Sequence, residues 1–248
     1  MCPAGRERRK PKPDAHPASG QGRIGGGGVK WALRGLAAVL VLSVAGVLIF
    51  ILWQPIKVLP RITLAPALAL VDQDARPFSN EDLRGGIVLY TVMATRCTAP
   101  CPDTAGVMRE VQRRLGEVDT GGLPVHLVSV SLDPQHDTPA VLRRAAAAAG
   151  ADPARWRFAT GDAARLKYAV GGGFQLYYGP TPDGGFEFDP GYFLVDGWGL
   201  LRAEYRTPAP DVAIILRDIG LLADEARNSV GVARYAYEAA HLFLCYPR

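Results

Sequence analysis

From Gly35 to Ile56 the chain carries 22 consecutive residues without a charge, and Leu36 to Trp53 is almost entirely Leu, Val, Ala, Ile and Phe. At about 1.5 Å per residue, roughly 20 such residues span a hydrocarbon core as a helix. Trp31 and Trp53 stand at the two ends, where aromatic side chains gather at membrane interfaces. Charge gives the segment a direction. Residues 1–34 hold eight Lys/Arg against two Asp/Glu, whereas the remaining 214 residues hold 20 against 22. The positive-inside rule then predicts a single-pass protein of the cell membrane, with residues 1–34 cytoplasmic and residues 57–248 outside. A cleaved signal peptide is the alternative. Its apolar core usually runs about 7–15 residues before a small-residue cleavage pattern, and neither feature fits here.

The same charge division removes one functional class. The net charge of +4 belongs to the head, so the main domain is not read as a nucleic-acid binder. With 48% apolar and 21% charged residues the chain as a whole is globular, not disordered. Four cysteines in 248 residues exclude a disulfide-rich miniprotein. The Pro-, Gly- and Arg-rich head, with Gly25 to Gly28 in a row, reads as a disordered tail, and Cys2 as a thiol within it.

Strand and helix signals alternate through the rest. Residues 57–84 read as a connector and a short hairpin around Asp72-Gln-Asp74. Ile87 to Ala94 is a continuous apolar run of strand length, as a buried central strand requires. Thr104 to Leu115 has helical spacing, and Val125 to Ser131 is a second strand. Thr138-Pro139 starts a helix that ends at Gly150. A short strand at 157–160 and a short helix at 162–170 follow, then glycine-rich loops at 171–173 and 180–185. Asp196-Gly-Trp-Gly199 marks a hairpin, and residues 210–245 read as mostly helical. The pattern predicts an α/β fold: a mixed sheet flanked by helices, with a hairpin edge.

Cys97-Thr-Ala-Pro-Cys101-Pro102 falls between the first central strand and its helix. Chemistry gathers at the carboxyl ends of strands in such sheets. Cysteines four apart on a helical turn share one side, so their sulfurs can close a disulfide or jointly hold a soft ion such as Cu(I) or Zn. A place at a helix N-terminus would lower the thiol pKa, and Arg96 would add to the effect. A static structural bridge is the bland alternative. A loop this small removes little unfolded-state entropy, so a reactive pair is the better fit. In exchange chemistry Cys97, expected to be the more exposed, would attack and Cys101 would resolve.

These residues resemble the Sco (SenC) family of membrane-anchored, thioredoxin-fold proteins that assist assembly of the copper centre in cytochrome c oxidase. The match rests on Cys97, Cys101 and Pro102, and on Ser129-Val-Ser-Leu-Asp133-Pro134-Gln-His-Asp137-Thr138-Pro139, one residue longer than the family's usual stretch. Ala67 to Phe78 and Leu83-Arg-Gly85 add to it, and the resemblance covers roughly residues 60 to 222. It implies a thioredoxin-like domain over 57–222, a transmembrane helix over 35–56, a tail over 1–34 and a helical extension over 223–248. It further implies Cu(I) bound by Cys97 and Cys101. The implied partner is the copper subunit of a respiratory oxidase or another extracytoplasmic thiol protein.

Copper-binding family members place a histidine shortly before the late strand. Counting back from Tyr192, that position falls near Phe188, within Phe186-Glu-Phe-Asp189-Pro190, where no histidine stands. Asp189 is a hard carboxylate and a poor match to Cu(I). His16 lies in the head, His126 in mid-strand and His136 in a loop read as solvated. His241 and Cys245 form an i, i+4 pair on the last helix, so His241 is the candidate third ligand and Cys245 a candidate third thiol. Asp133, Asp137 and Asp189 are read as turn and cap residues, not an acid/base cluster. The aromatics Phe174, Tyr177, Tyr178, Phe186 and Phe188 are divided between packing and a docking surface around the cysteines. A thiol–disulfide oxidoreductase without stable copper, and a structural subunit that has kept only the fold, remain as alternative functions.

Overall fold

The computed structural model describes residues 26–53, 57–98, 100–229, 231 and 233–243. Cys2, the head as far as residue 25, and Cys245 lie outside the described residues. The chain divides into two compact units, Met1–Trp53 and Gln54–Arg248. In the first, helix α1 runs over Gly26–Trp53, and its Lys30–Ile49 stretch is long and apolar enough to cross a membrane.

The second unit is built on one eight-stranded sheet in the order β1-β10-β9-β4-β5-β6-β2-β3. The strands are β1 (Thr63–Leu64), β2 (Ala69–Asp72), β3 (Pro77–Ser79), β4 (Ile87–Met93), β5 (Val125–Ser131), β6 (Trp156–Gly161), β9 (Tyr192–Val195) and β10 (Leu200–Tyr205). A small hairpin of β7 (Tyr178–Pro180) and β8 (Phe186–Phe188) stands apart. β4, β5 and β6 are parallel, and every other neighbouring pair is antiparallel.

The unbroken apolar run of β4 has its reason in burial on both faces. Ile87 and Leu89 point to one core with Met108, Val111, Leu142, Ile215 and Ile219 of the covering helices. Val88, Tyr90 and Val92 point to the other, with Leu166, Val170, Phe174 and Phe193. The helices are α2 (Thr104–Arg114), α3 (Pro139–Ala149), α4 (Ala163–Leu166), α5 (Val212–Asn228) and α6 (Ala233–Phe243).

Local signals set most boundaries. Asp103 caps α2, its carboxylate accepting from the Gly106 N–H at 2.8 Å. Gly150 ends α3 at φ +69°, a conformation glycine adopts without a Cβ penalty. Three expectations are corrected. Gly26–Arg34, read as part of a disordered tail, is helical and belongs to α1. Thr138 occupies the cap position of α3, but its side chain makes no capping hydrogen bond. Gly171–Gly173 are not a loop: the chain continues from α4 as a wide helical turn over Lys167–Gly173. Of the predicted extension, α5 runs on past residue 222 to Asn228, and α6 follows beyond Gly231.

At one end of the sheet lies a buried charge network. Arg202 on β10 is wholly buried and bonds the Asp196 carboxylate at 2.8 Å and the Glu225 carboxylate at 2.7 Å. It also donates to the Leu59 and Pro60 carbonyls at 2.7 and 3.1 Å. His241 Nε2 meets Glu225 at 2.9 Å. Burial alone would raise the Glu225 carboxyl, but the hydrogen bonds from His241 and Arg202 hold it below the usual glutamate value. A depressed folded pKa gives stability that is complete above the unfolded value of about 4.3 and is lost as pH falls through the folded value. The unfolding midpoint of the native chain should therefore drop more steeply below about pH 4.3 than that of Glu225→Gln. Parallel pH curves for the two would contradict this account.

Candidate functional site

Register decides what surrounds the cysteines. β4 and β5 run parallel from Ile87↔Val125 to Met93↔Ser131, so the loops leaving their carboxyl ends lie side by side. Thr95-Arg96-Cys97 on one loop therefore faces Asp133 to Asp137 on the other. Buried Asp137 accepts from the Thr95 N–H at 3.1 Å, from the Thr95 hydroxyl and from the Ser131 hydroxyl. Asp133, also buried, takes the Arg96 guanidinium at 2.6 and 3.0 Å. The two aspartates thus brace the neighbouring cysteine loop, which extends their expected role as turn residues of their own connection. Arg96 is directed to Asp133, which corrects the expectation that it serves the Cys97 sulfur.

A disulfide joins Cys97 and Cys101, with Cα atoms 5.8 Å apart. Both cysteines precede α2, which begins at Thr104, so the predicted helical turn is replaced by a loop. Proline is the physical reason. Pro100 and Pro102 have no N–H to donate, and each disfavours helical backbone at the residue before it. Exposure is also reversed from expectation: Cys97 is half-buried and Cys101 exposed, and Cys101 is the one nearer the helix.

The β7–β8 hairpin closes over Cys97. The Thr98 N–H donates to the Phe186 carbonyl at 2.8 Å, and the Phe186 N–H to the Arg96 carbonyl at 2.9 Å. Gly185 is needed at this close approach, because a Cβ there would run into the Thr98 hydroxyl. Between hairpin and loop opens a cleft of about 330 Å³, lined by Cys97, Pro100, Tyr177, Glu187, Phe188 and Asp189 among others. The Tyr177 hydroxyl donates to Glu187 at 2.9 Å, and this bond holds the phenol above its usual pKa. The sequence count that located the family's histidine near Phe188 thus lands beside Cys97, at a phenylalanine flanked by two carboxylates.

The expected aromatic cluster divides. Phe174 is buried and stacks on Phe193 with ring centres 4.2 Å apart, whereas Tyr177 is 61% exposed at the cleft. Tyr177 and Phe188, two of the aromatics read as a possible docking surface, do line the cleft beside Cys97. Glu187, Thr95 and Ser131 were not legible as site residues, because they reach the cysteine loop only through the hairpin and the β4–β5 register.

His241 is not brought to the cysteines, which corrects its candidacy as third ligand. It bonds Glu225, within the Arg202 network that includes Asp196. Asp196 follows β9, whose Val195 pairs with Val88 at the start of β4, while Cys97 follows the end of β4. Seven residues of strand, roughly 20 Å, separate the two ends. His126 is half-buried on β5, its imidazole held below the usual pKa by burial and by Arg157, and His136 is exposed. Among the described residues no group of three His, Cys, Asp or Glu could hold a metal ion.

Comparison with known proteins identifies this architecture. A protein named for copper binding in Stutzerimonas stutzeri is 36% identical over 88 residues, which is 36% of this chain and 42% of that protein. The chain thus matches less than half the length of this relative. The solved SCO1/SenC family lipoprotein from Bacillus anthracis str. Ames superposes with a TM-score of 0.59 at 25% identity, covering 65% of this chain and 95% of that one. BsSco, described as a cytochrome c oxidase assembly protein with a disulfide switch, shares the fold at TM-score 0.57 and 22% identity, covering 66% and 96%. The mixed sheet with flanking helices is the thioredoxin-like fold of these neighbours. The family model described as SCO1/SenC matches residues 60–219, so the chain belongs to the SCO1/SenC family.

Proposed function

We propose that the chain is a membrane-anchored, Sco-type assembly factor for a respiratory oxidase, working through Cys97 and Cys101. The carrying observation is the bridged Cys97–Cys101 pair, held at the carboxyl end of β4 beside an open cleft. Reduced, the pair offers two thiolates, the ligand type that selects Cu(I). Bridged, it offers an electrophilic sulfur to a partner thiolate. The same two atoms thus serve Cu(I) delivery, adjustment of the redox state of partner cysteines, or both. The binding and assembly roles named for the relatives support the first of these.

A second observation favours exchange. Phe188, Glu187 and Asp189 stand where a soft third ligand would be wanted, and hard carboxylates are mismatched to Cu(I). The cleft lies on the Cys97 side of the bridge, so Cys97 is the sulfur that forms the mixed disulfide, and exposed Cys101 is the resolving thiol. The length and apolar character of Lys30–Ile49 support its role as the anchor, and the basic residues among 1–34 support an orientation with the head in the cytoplasm and the Cys97 domain outside.

Anaerobic titration of the reduced chain in detergent with Cu(I), against a competing chelator, tests this. One ion held by the native chain and lost in Cys97→Ser/Cys101→Ser is the result expected of a copper carrier. His241→Ala should leave that affinity unchanged, because His241 sits at the far end of β4. No competitive binding would reject copper carriage and leave exchange as the activity.

A further inference from the structure

The cleft beside Cys97 is one-signed. Its ionisable side chains besides Cys97 and Tyr177 are Glu187 and Asp189. Asp183 adjoins it through a hydrogen bond to Thr181, which lines it, and Asp103 follows Pro102 at the cap of α2. From Cys97 to Asp103 and from Gln175 to Pro190 the sequence contains no Lys, Arg or His. Arg96, the cation of the cysteine loop, is directed to Asp133. Of the rest of the lining, Pro100, Pro102 and Phe188 present apolar surface to a ligand, and Thr98 and Thr181 add uncharged hydroxyls.

Such a cleft poses an electrostatic problem for exchange. The attacking species is a thiolate, an anion, and it must approach Cys97 past two carboxylates. Positive charge carried beside the incoming thiolate removes the repulsion and draws the segment into the cleft. We propose that the cleft formed by Pro100, Tyr177, Glu187, Phe188 and Asp189 receives a basic, cysteine-bearing segment of the partner protein. This inference rests on the exchange reading above and names its substrate class.

The step balances. The partner thiolate bonds to Cys97 Sγ, the Cys97–Cys101 bond breaks, and Cys101 leaves as a thiolate that takes a proton from solvent. A second partner thiol, deprotonated to water, then attacks its own half of the mixed disulfide and releases Cys97. The partner loses two electrons as its disulfide forms, and the Cys97–Cys101 pair gains two. In reverse, the reduced pair reduces a partner disulfide through the same mixed intermediate.

The test uses the full oxidised chain in uncharged detergent. Two short single-cysteine peptides serve as attackers, one with the cysteine flanked by lysines and one by glutamates. Rates are taken per thiolate and divided by each peptide's rate with the neutral 2-hydroxyethyl disulfide, which removes intrinsic nucleophilicity. The lysine peptide should react about tenfold faster. Its advantage should fall below about twofold in about 1 M salt, where the screening length is about 3 Å. It should fall as far in Glu187→Gln/Asp189→Asn. Equal rates, a faster glutamate peptide, or a preference that survives in the double variant would each overturn this proposal. In all three cases the exchange reading stands. Failure of both peptides and of uncharged 2-mercaptoethanol to open the bridge would overturn the exchange reading, and the cleft assignment with it.

Discussion

Replacing Arg202 by methionine should lower the stability of the domain by about 3–5 kcal/mol, the loss typical when one partner of a buried ion network is removed. For a domain of this size that corresponds to a fall of roughly 6–20 °C in unfolding midpoint. Methionine keeps the aliphatic bulk but leaves Asp196 and Glu225 buried without the guanidinium, and strands the Leu59 and Pro60 carbonyls. The cost comes from abandoned charge, not from lost attraction alone. Replacing Arg202, Asp196 and Glu225 together by apolar residues should therefore cost less than the single change. Calorimetry on the three proteins checks both statements. A single variant within about 1 kcal/mol of the native chain would show that water reaches the network and screens it. The network ties Leu59 and Pro60, ahead of β1, to β10 and α5.

The second large effect is expected at the other end of β4. Asp137→Asn keeps the shape of the side chain but replaces one carboxylate oxygen by an amide donor. Three donors converge on Asp137: the Thr95 N–H, the Thr95 hydroxyl and the Ser131 hydroxyl. The amide oxygen can still accept from the Thr95 N–H and the Ser131 hydroxyl, which share one carboxylate oxygen, but the Thr95 hydroxyl must turn from donor to acceptor and the charge is gone. A loss of about 2–4 kcal/mol follows from three charge-assisted hydrogen bonds reduced to neutral ones in a buried setting. The Thr95 amide, two residues before Cys97, should lose its protection against hydrogen exchange ahead of the central strands. The accompanying change at the site should be a Cys97–Cys101 bridge that opens faster with a small neutral thiol, because its loop is no longer pinned to β5. Unchanged amide protection at Thr95 with unchanged bridge kinetics would reject the bracing role.

Much of this protein was legible from order and spacing. The charge-free run of 22 residues predicts a helix of membrane-crossing length, and α1 contains one over Lys30–Ile49. The apolar run at β4 and the hairpin signal at Asp196 to Gly199 are short-range patterns, and both elements form as expected. Cys97 and Cys101 were recognisable by position alone, after a buried strand and before a helix. The details around them were not. Which charge Arg96 serves depends on the register of β4 on β5, and which side chains wall Cys97 depends on how the β7–β8 hairpin folds back. The proline spacing in Cys97 to Pro102 outweighed the i, i+4 pattern that suggested a helical turn.

His241 shows the limit most clearly. Its spacing to Cys245 made it a reasonable ligand on a helix face, but a helical period says nothing about which end of a sheet that helix will cover. Sequence by itself determined the membrane-length helix, the alternation of strands and helices, and the two sulfurs, since each follows from residues near one another in the chain. Tertiary structure alone decided that His241 joins Glu225 and Arg202, that Asp137 holds Thr95, and that the open side of Cys97 is acidic. Those contacts join residues 16 to about 90 positions apart, and their energies exist only once the sheet has brought the strands into register.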